Sequence, residues 1–355
     1  MEFGLSEEQT LLQDSVNRFL REQVPLDRVR KFADKDDDGD DIWQGLVELG
    51  IPGLIIPEAS GGVGLGRLDA AVIAESLGYH VTPAPFLGTV VMAPVALIES
   101  GQREDLLRAI AAGESTVGVA FGESIGARAD AGTEFDGSRL NGKALFVLDY
   151  LADFVLVATN DKKLVLVNAD AEGLEKRALN TVERTRRTGE LVFSNTPAEL
   201  ISDDLDVYLK VLDAGRVMLA ADTLGAAQNM IDQSVAYAKI REQFNRPIGS
   251  FQAVKHMCAD MVANLEPCRA LVWYAGYALD EVPEEARLMA CHTKAHLSEV
   301  GQMVGKTATE VHGGMGFTDL VGLHYWFKRI GFNRQILGAP ELIREEAARV
   351  QNLVA

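Results

Sequence analysis

The residues best equipped for chemistry lie in two short stretches of the last third of the chain. The first, REQFNRPIGSFQ at 241–252, gathers Arg241, Arg246, Phe244 and Gln252 around Pro247 and Gly249. Arginine forks match phosphate oxygens, a phenylalanine ring offers a face to an aromatic base, and a glutamine amide both donates and accepts. The second, EVHGGMGF at 310–317, sets Gly313 and Gly314 side by side. Consecutive glycines let backbone N–H groups approach a ligand closely. Taken singly, the first stretch reads more readily as a helix–turn–helix corner with solvated arginines, and the second as a helix C-cap.

Four other patterns carry less. GQMVGKT at 301–307 has three residues between its glycines where a phosphate-binding loop needs four, and it sits in a helical pattern. GGVGLG at 61–66 lacks the dinucleotide spacing. DKDDDGDD at 34–41 spaces its aspartates as a calcium loop does, but the twelfth position is Gly45, without the bidentate glutamate. His292 and His296 share a helix face without the glutamate of a zinc-protease helix.

The elements that must position these residues follow from the pattern along the chain. Ser6 and Gln9 form a capping box, and Leu12, Val16, Phe19 and Leu20 recur at helical spacing after it. IWQGLVELG and LDAAVIAESLG read as further helices, each ending at glycine. From residue 116 the runs become β-rich, separated by Asp136-Gly137, Asn141-Gly142 and Asn160-Asp161 as turn signals. Helical patterns return at DLDVYLKVLDAGRVML, with long helices expected over 251–280 and 283–312 and a shorter one after Pro340. The expected class is α+β: a helical domain over 1–115, a small antiparallel β domain over 116–203, and a helical, four-helix-bundle domain over 204–355.

Composition bounds the function. With 34 Lys and Arg against 52 Asp and Glu, the formal charge of −18 repels nucleic acid and anionic lipid. No run is long and apolar enough to span a bilayer, and MEFGLSEEQTLLQ has no basic segment followed by an apolar one. Three scattered cysteines, Cys258, Cys268 and Cys291, form no disulfide or zinc framework, so a reduced, cytoplasmic setting is expected.

Together and in this order, the two stretches resemble the acyl-CoA dehydrogenase family. The family pattern R-x-x-F-x-x-P-I-x-x-F-Q is met by Arg241, Phe244, Pro247, Ile248, Phe251 and Gln252, and the later G-G-x-G by Gly313, Gly314 and Gly316. LSEEQTLLQDSVNRFLRE and ELGIPGLIIPEASGGVGLG are also similar to that family, so the resemblance covers essentially the whole chain. It implies an FAD flavoenzyme whose flavin ring rests on the β domain of one subunit. The adenine and pyrophosphate end would be held by the neighbour's corner and glycine turn, here Arg241, Gln243, Phe244, Gln252, His312, Gly313 and Gly314.

The chain departs from that family on the chemical half of the site. The reaction needs a glutamate base, 24 residues after the first glycine of G-G-x-G in most members; Leu337 stands there and Ala339 replaces a threonine. Some members place the base just before an arginine on the helix preceding the corner; that arginine matches Arg216, a substrate-side residue by resemblance, and Gly215 precedes it. The family's T-E-P-x-x-G-S-D loop corresponds to FGESIGARAD at 121–130, without the proline or the Ser–Asp pair. W-I-T corresponds to Phe146, Val147 and Leu148, and leucine offers no hydroxyl to a flavin. The resemblance therefore implies a base-lacking subunit of an α2β2 acyl-CoA dehydrogenase. Its partners would be a catalytic paralogue, an acyl-CoA and an electron-transfer flavoprotein. Two alternatives stand beside it: a self-sufficient homotetramer with a displaced base, for which Glu341 is the nearest candidate, and a non-enzymatic acyl-CoA-binding scaffold.

Overall fold

The computed structural model describes residues 4–126 and 130–354, arranged as helices, then a sheet, then helices. The N-terminal layer comprises α1 (Glu7–Gln23), α2 (Leu26–Ala33), α3 (Asp40–Glu48), α4 (Arg67–Tyr79), α5 (Ala93–Ser100) and α6 (Glu104–Ala111). α1 opens on the expected capping box: Ser6 Oγ accepts from Gln9 N at 3.1 Å and Gln9 Oε1 from Ser6 N at 3.0 Å. Such reciprocal caps satisfy N–H groups that a helix start leaves orphaned. Val16 and Leu20 turn inward from this helix.

α4 does not stop at Gly78, as the glycine suggested, but runs to Tyr79. Gly78 serves close packing instead. A Cβ there would collide with the backbone carbonyl of Asp222, and one at Gly225 with that of Glu75. Two backbones thus approach more closely than any side chain permits.

The middle of the chain holds a short helix, α7 (Gly122–Ile125), and eight strands: β1 (Val117–Ala120), β2 (Gly132–Phe135), β3 (Arg139–Leu148), β4 (Phe154–Ala158), β5 (Leu164–Asn168), β6 (Leu174–Ala178), β7 (Thr188–Pro197) and β8 (Glu199–Ser202). The sheet order is β6-β7-β3-β1-β4-β5-β8, with β2 on β3. It is not wholly antiparallel: β1 and β4 run parallel, Val117 opposite Phe154 and Ala120 opposite Val157. Both strands are apolar and largely buried, which is how a parallel pair inside a sheet reads. Asp136-Gly137 does turn the chain between β2 and β3, with Asp136 Oδ1 capping Ser138 N and Arg139 N. Asn141-Gly142 does not; it lies within β3, where Gly142 has φ +114° beside a register shift. The dipeptide marks a bulge.

The C-terminal bundle contains α8 (Leu205–Ile240), α9 (Gln252–Glu281), α10 (Pro283–His312), α11 (Leu323–Gln335) and α12 (Pro340–Val350). α8, at 36 residues and so about 54 Å, packs on α4, α9 and α10. GQMVGKT lies inside α10. No helix among the described residues is long and apolar enough to cross a membrane.

Candidate functional site

Between α8 and α9 the chain makes a miniature hairpin, β9 (Glu242–Gln243) on β10 (Arg246–Pro247). Its two turn residues, Phe244 and Asn245, have φ +54° and +60°. That pairing of left-handed residues belongs to the two-residue turns of tight hairpins. Phenylalanine is an unfavourable choice there, and Phe244 is 87% exposed. A strained, solvent-facing aromatic ring is an expense that folding alone does not explain. Phe251 lies beneath it, edge to face at 6.1 Å, and the Arg246 guanidinium covers Phe251 at 4.0 Å. Arg246 is thus spent partly on stacking. Among the described residues, the exposed side chains of Arg241 and Gln252 make no internal hydrogen bond or ion pair, and Gln243 Nε2 donates to its neighbour's carbonyl, Glu242 O, at 2.8 Å. In a chain with this excess of carboxylates, an arginine without one is available to an external anion.

The glycine turn lies next to this corner. Tyr237, one turn before Arg241, stacks on His312 at 4.6 Å between ring centroids. His312 is buried and its Nδ1 sits 2.8 Å from Ala308 O, so this nitrogen donates to the helix. Burial holds its pKa below the usual value, outweighing that hydrogen bond. His312 thus braces the turn from within, between Tyr237 and the end of α10. Gly313 (φ +57°) and Gly314 follow it, exposed, with open space where a side chain would stand. The Gly313 N–H caps α10 by donating to Glu310 O, and Phe317 stands exposed on the same turn.

The two base positions meet in space. Leu337 is 3% exposed, and its Cδ1 would lie 2.7 Å from a Cβ built on Gly215; Met92 Sδ would lie at 2.8 Å. Met92 ends a π-helical stretch, Leu87–Met92, a form that often marks functional sites. The leucine thus fills the space that the glycine leaves, with an apolar contact where the family has a carboxylate. Its loop is stapled from behind by two buried cations. Arg216 Nε donates to Leu337 O at 2.9 Å, and Lys294 Nζ to Gly338 O and Arg334 O at 3.3 Å. Leu337 itself has φ +56°, a strain these bonds hold in place.

Arg216 was expected on the substrate side. It is 0% exposed and forms a fork with Glu346, 2.7 and 3.1 Å, leaving no charge for an external ligand. The Arg216 and Arg287 charges hold the Glu346 carboxyl below its usual pKa despite its burial. Among the described residues Lys294 has no carboxylate partner; burial, with Arg216 and Arg334 nearby, pushes its pKa down to about 7. Glu341, the candidate displaced base, is 68% exposed and pairs with Arg334 at 3.0 Å. A dry, poised base needs the opposite surroundings.

On the sheet side, Leu148 is buried beside Asp149, Arg186, Asp222 and Arg329 around a cavity of only about 20 Å³. Asp222 accepts from Arg329 at 2.8 Å, Arg186 at 3.1 Å and Asn333 at 2.6 Å; the two guanidinium groups hold its pKa down at about 2 against burial. Sequence reasoning missed Asp222 and Lys294. The available signal was a lone charge within a small or apolar run, MLAADTLGAA and MACHTKAHL. Of the loop at 121–130, residues 127–129 lie outside the described ones; α7 covers Gly122–Ile125. The arrangement fits one half of a dinucleotide. Arg241, Phe244, Gln252 and the open glycines suit a phosphate and an aromatic base. At the ring half, among the described residues, Leu337 and Gly215 occupy the two expected base positions and Leu148 offers no hydroxyl.

Comparison with known proteins agrees with this geometry. Residues 6–114 match the model of the acyl-CoA dehydrogenase N-terminal domain, and residues 205–351 that of the acyl-CoA dehydrogenase C-terminal domain. The acyl-CoA dehydrogenase IpdE2 of Mycolicibacterium smegmatis is 31% identical over 349 residues, covering 98% of this chain and 99% of the relative. Its namesake from Mycobacterium tuberculosis is 30% identical, covering 98% of each chain. Among solved structures, a variant of the Tcur3481–Tcur3483 steroid ACAD has 30% identity and a TM-score of 0.88, covering 98% of each chain. The ChsE4–ChsE5 complex from Mycobacterium tuberculosis, 24% identical with a TM-score of 0.90 and complete coverage of both chains, shares the fold.

Proposed function

We propose, from the premise that the chain belongs to the acyl-CoA dehydrogenase family of FAD-dependent oxidoreductases, that it is the base-lacking subunit of a heteromeric acyl-CoA dehydrogenase. A paralogous subunit supplies the glutamate and seats the flavin ring. This chain's Arg241, Gln243, Phe244, Gln252, Gly313 and Gly314 hold the adenine and pyrophosphate end of that FAD. The FAD, when bound, supplies the hydride acceptor that turns an acyl-CoA into a 2,3-enoyl-CoA, with an electron-transfer flavoprotein as the onward acceptor.

The observation that carries this reading is the contrast between the two halves. Leu337 closes over Gly215 where a base would stand, while the corner keeps an unpaired arginine and an exposed, strained phenylalanine. The two proteins named in the related Tcur3481–Tcur3483 steroid ACAD support a heteromer, and its steroid substrate class supports a bulky acyl group. The test is co-expression with a paralogue that retains the glutamate. The complex is expected to load flavin and oxidise acyl-CoA; Arg241→Ala with Phe244→Ala in this chain is expected to weaken flavin retention at least 10-fold while the subunits still co-purify. Full flavin loading and turnover by this chain alone would defeat the reading.

A further inference from the structure

The buried junction where the sheet meets α8 and α11 holds more acid than base. Three carboxyl groups gather there: Asp149 just after β3, Glu183 in the loop between β6 and β7, and Asp222 on α8. Two guanidinium groups stand among them, Arg186 from the same loop as Glu183 and Arg329 from α11. Both are committed to Asp222, Arg329 Nη2 at 2.8 Å and Arg186 Nη2 at 3.1 Å. Arg329 Nη1 is taken further by Thr82 O and Thr185 Oγ1, at 3.2 and 3.0 Å. One ionised carboxylate besides Asp222 balances the two cations. A second leaves an excess negative charge beside a cavity of about 20 Å³, room for about one water.

The hydrogen bonds decide which carboxyl keeps the proton. Glu183 Oε1 accepts from Thr185 N at 2.7 Å and from Thr185 Oγ1, bonds that favour an ionised carboxylate. Among the described residues the Asp149 carboxyl accepts no hydrogen bond and makes no ion pair. Burial raises its pKa to about 7 against the pull of Arg186, Arg187 and Arg329, and the Glu183 charge adds to the rise. Its backbone is left-handed, φ +53°, and fixed by Asp149 N donating to Arg187 O at 2.7 Å.

The remaining sides of Asp149 bring no compensating charge. It also lines a cleft of about 300 Å³ toward the N-terminal helices, where Asp38, Asp40, Glu114 and Asp153 stand. Arg187, the further cation at this cleft, pairs with Asp40 at 3.2 Å and donates to Asp38 O. α4 and the π-helical stretch present only Ala74, Leu77 and Leu87 to the small cavity. α11 enters the junction through Arg329 and Asn333, whose Nδ2 donates to Asp222 Oδ1 at 2.6 Å.

We propose that Asp149 is a pH-sensitive latch: protonated, it lets the sheet close on α11, and on losing its proton it loosens α11 and the Leu337 loop that follows. The latch lies within this one chain, so it operates whether or not a partner supplies the base.

An acid whose pKa rises on folding destabilises the folded chain when it ionises. The ordinary value is 3.8, so the contribution of Asp149 falls as pH rises from there through about 7 and is flat above. Between pH 6 and pH 8 about one pH unit of that window remains, which is about 10-fold in any opening that hydrates Asp149. Lys294, whose support of the next loop grows with pH, acts in the opposite direction.

Hydrogen exchange of the full chain at pH 6 and pH 8, corrected for the intrinsic rate and read on peptides spanning Leu323–Gln335, tests the latch. The wild type is expected to open about 10-fold more readily at pH 8. Asp149→Asn keeps the shape, suits the left-handed backbone, and is expected to remove the difference. Glu183→Gln is a second, independent variant: with one like charge gone, the transition should move about one unit to lower pH. Circular dichroism checks that both fold. Equal protection of α11 at the two pH values in the wild type overturns the proposal. So does an Asp149→Asn chain that keeps the full difference, or a Glu183→Gln chain whose transition stays where it was.

Discussion

Leu337 and Gly215 behave as one unit, and their coupling is measurable. A methyl at position 215 would press on Leu337 Cδ1 and Met92 Sδ, both ends of movable side chains. Gly215→Ala is therefore expected to cost about 1–3 kcal/mol. Leu337→Ala removes a buried leucine and should cost about 2–5 kcal/mol. The double variant should cost less than the sum by about 1 kcal/mol, because each change makes room for the other. Urea unfolding of the four proteins decides it, and strict additivity would show that the two side chains do not meet. Phe244 offers the reverse dissociation. Phe244→Asn eases a left-handed backbone and should stabilise the chain by about 1 kcal/mol, yet weaken flavin retention in the complex. A fall in both would place Phe244 in the fold's service. The sequence displayed the loss of the glutamate at 337 plainly. It did not display that leucine fills the space over Gly215, because residues 122 apart in sequence reveal no packing by spacing alone.

At the scale of elements, the loop between α11 and α12 is held by Arg216 and Lys294 from two different helices. Lys294 makes this support pH-dependent. Its ordinary pKa of 10.5 falls to about 7 in the folded chain, where Arg216 and Arg334 face it. Between about pH 7 and 10.5 the unfolded chain binds the extra proton, so this contribution to stability rises with pH across that window. Below pH 7 both states are protonated and it is flat. Lys294→Met should remove that rise, measured as the difference in unfolding free energy between pH 7 and 10; an unchanged slope would show the lysine to be ordinary. The elements themselves were unevenly legible. α9 and α10 follow the helical pattern closely, because their apolar positions and glycine-rich end obey local rules. α11 was not foreseen: its buried face carries Arg329 and Asn333, which replace the apolar stripe that periodicity detects. The parallel β1–β4 pair and the bulge at Gly142 depend on partners distant in sequence, and Asn-Gly reads alike in a turn and in a bulge.

For the whole molecule, charge and apolar exposure have to be reconciled. A net charge of −18 opposes the close approach of two copies of this chain, yet Ile240, Phe244, Phe317 and Leu320 each stand more than three-quarters exposed near the corner and the glycine turn. Exposed aromatic and aliphatic side chains beside the proposed half-site for a shared cofactor are what a subunit interface presents before its partner arrives. Self-repulsion then favours a partner other than a second copy. Phe317 and Leu320 lie outside the residues proposed to touch the cofactor, so they separate assembly from flavin contact. Phe317→Ser with Leu320→Ser is expected to leave the isolated chain folded and less prone to self-association, since neither side chain is part of the core. The same pair of changes should weaken capture by the paralogous subunit at least 10-fold, and flavin should be lost in proportion to the lost complex. Sedimentation velocity on the separate and mixed subunits reads both effects. A double variant that still co-sediments with the paralogue at wild-type stoichiometry, with its full flavin, would put the interface on another face of the molecule and remove the corner's claim on a partner's cofactor.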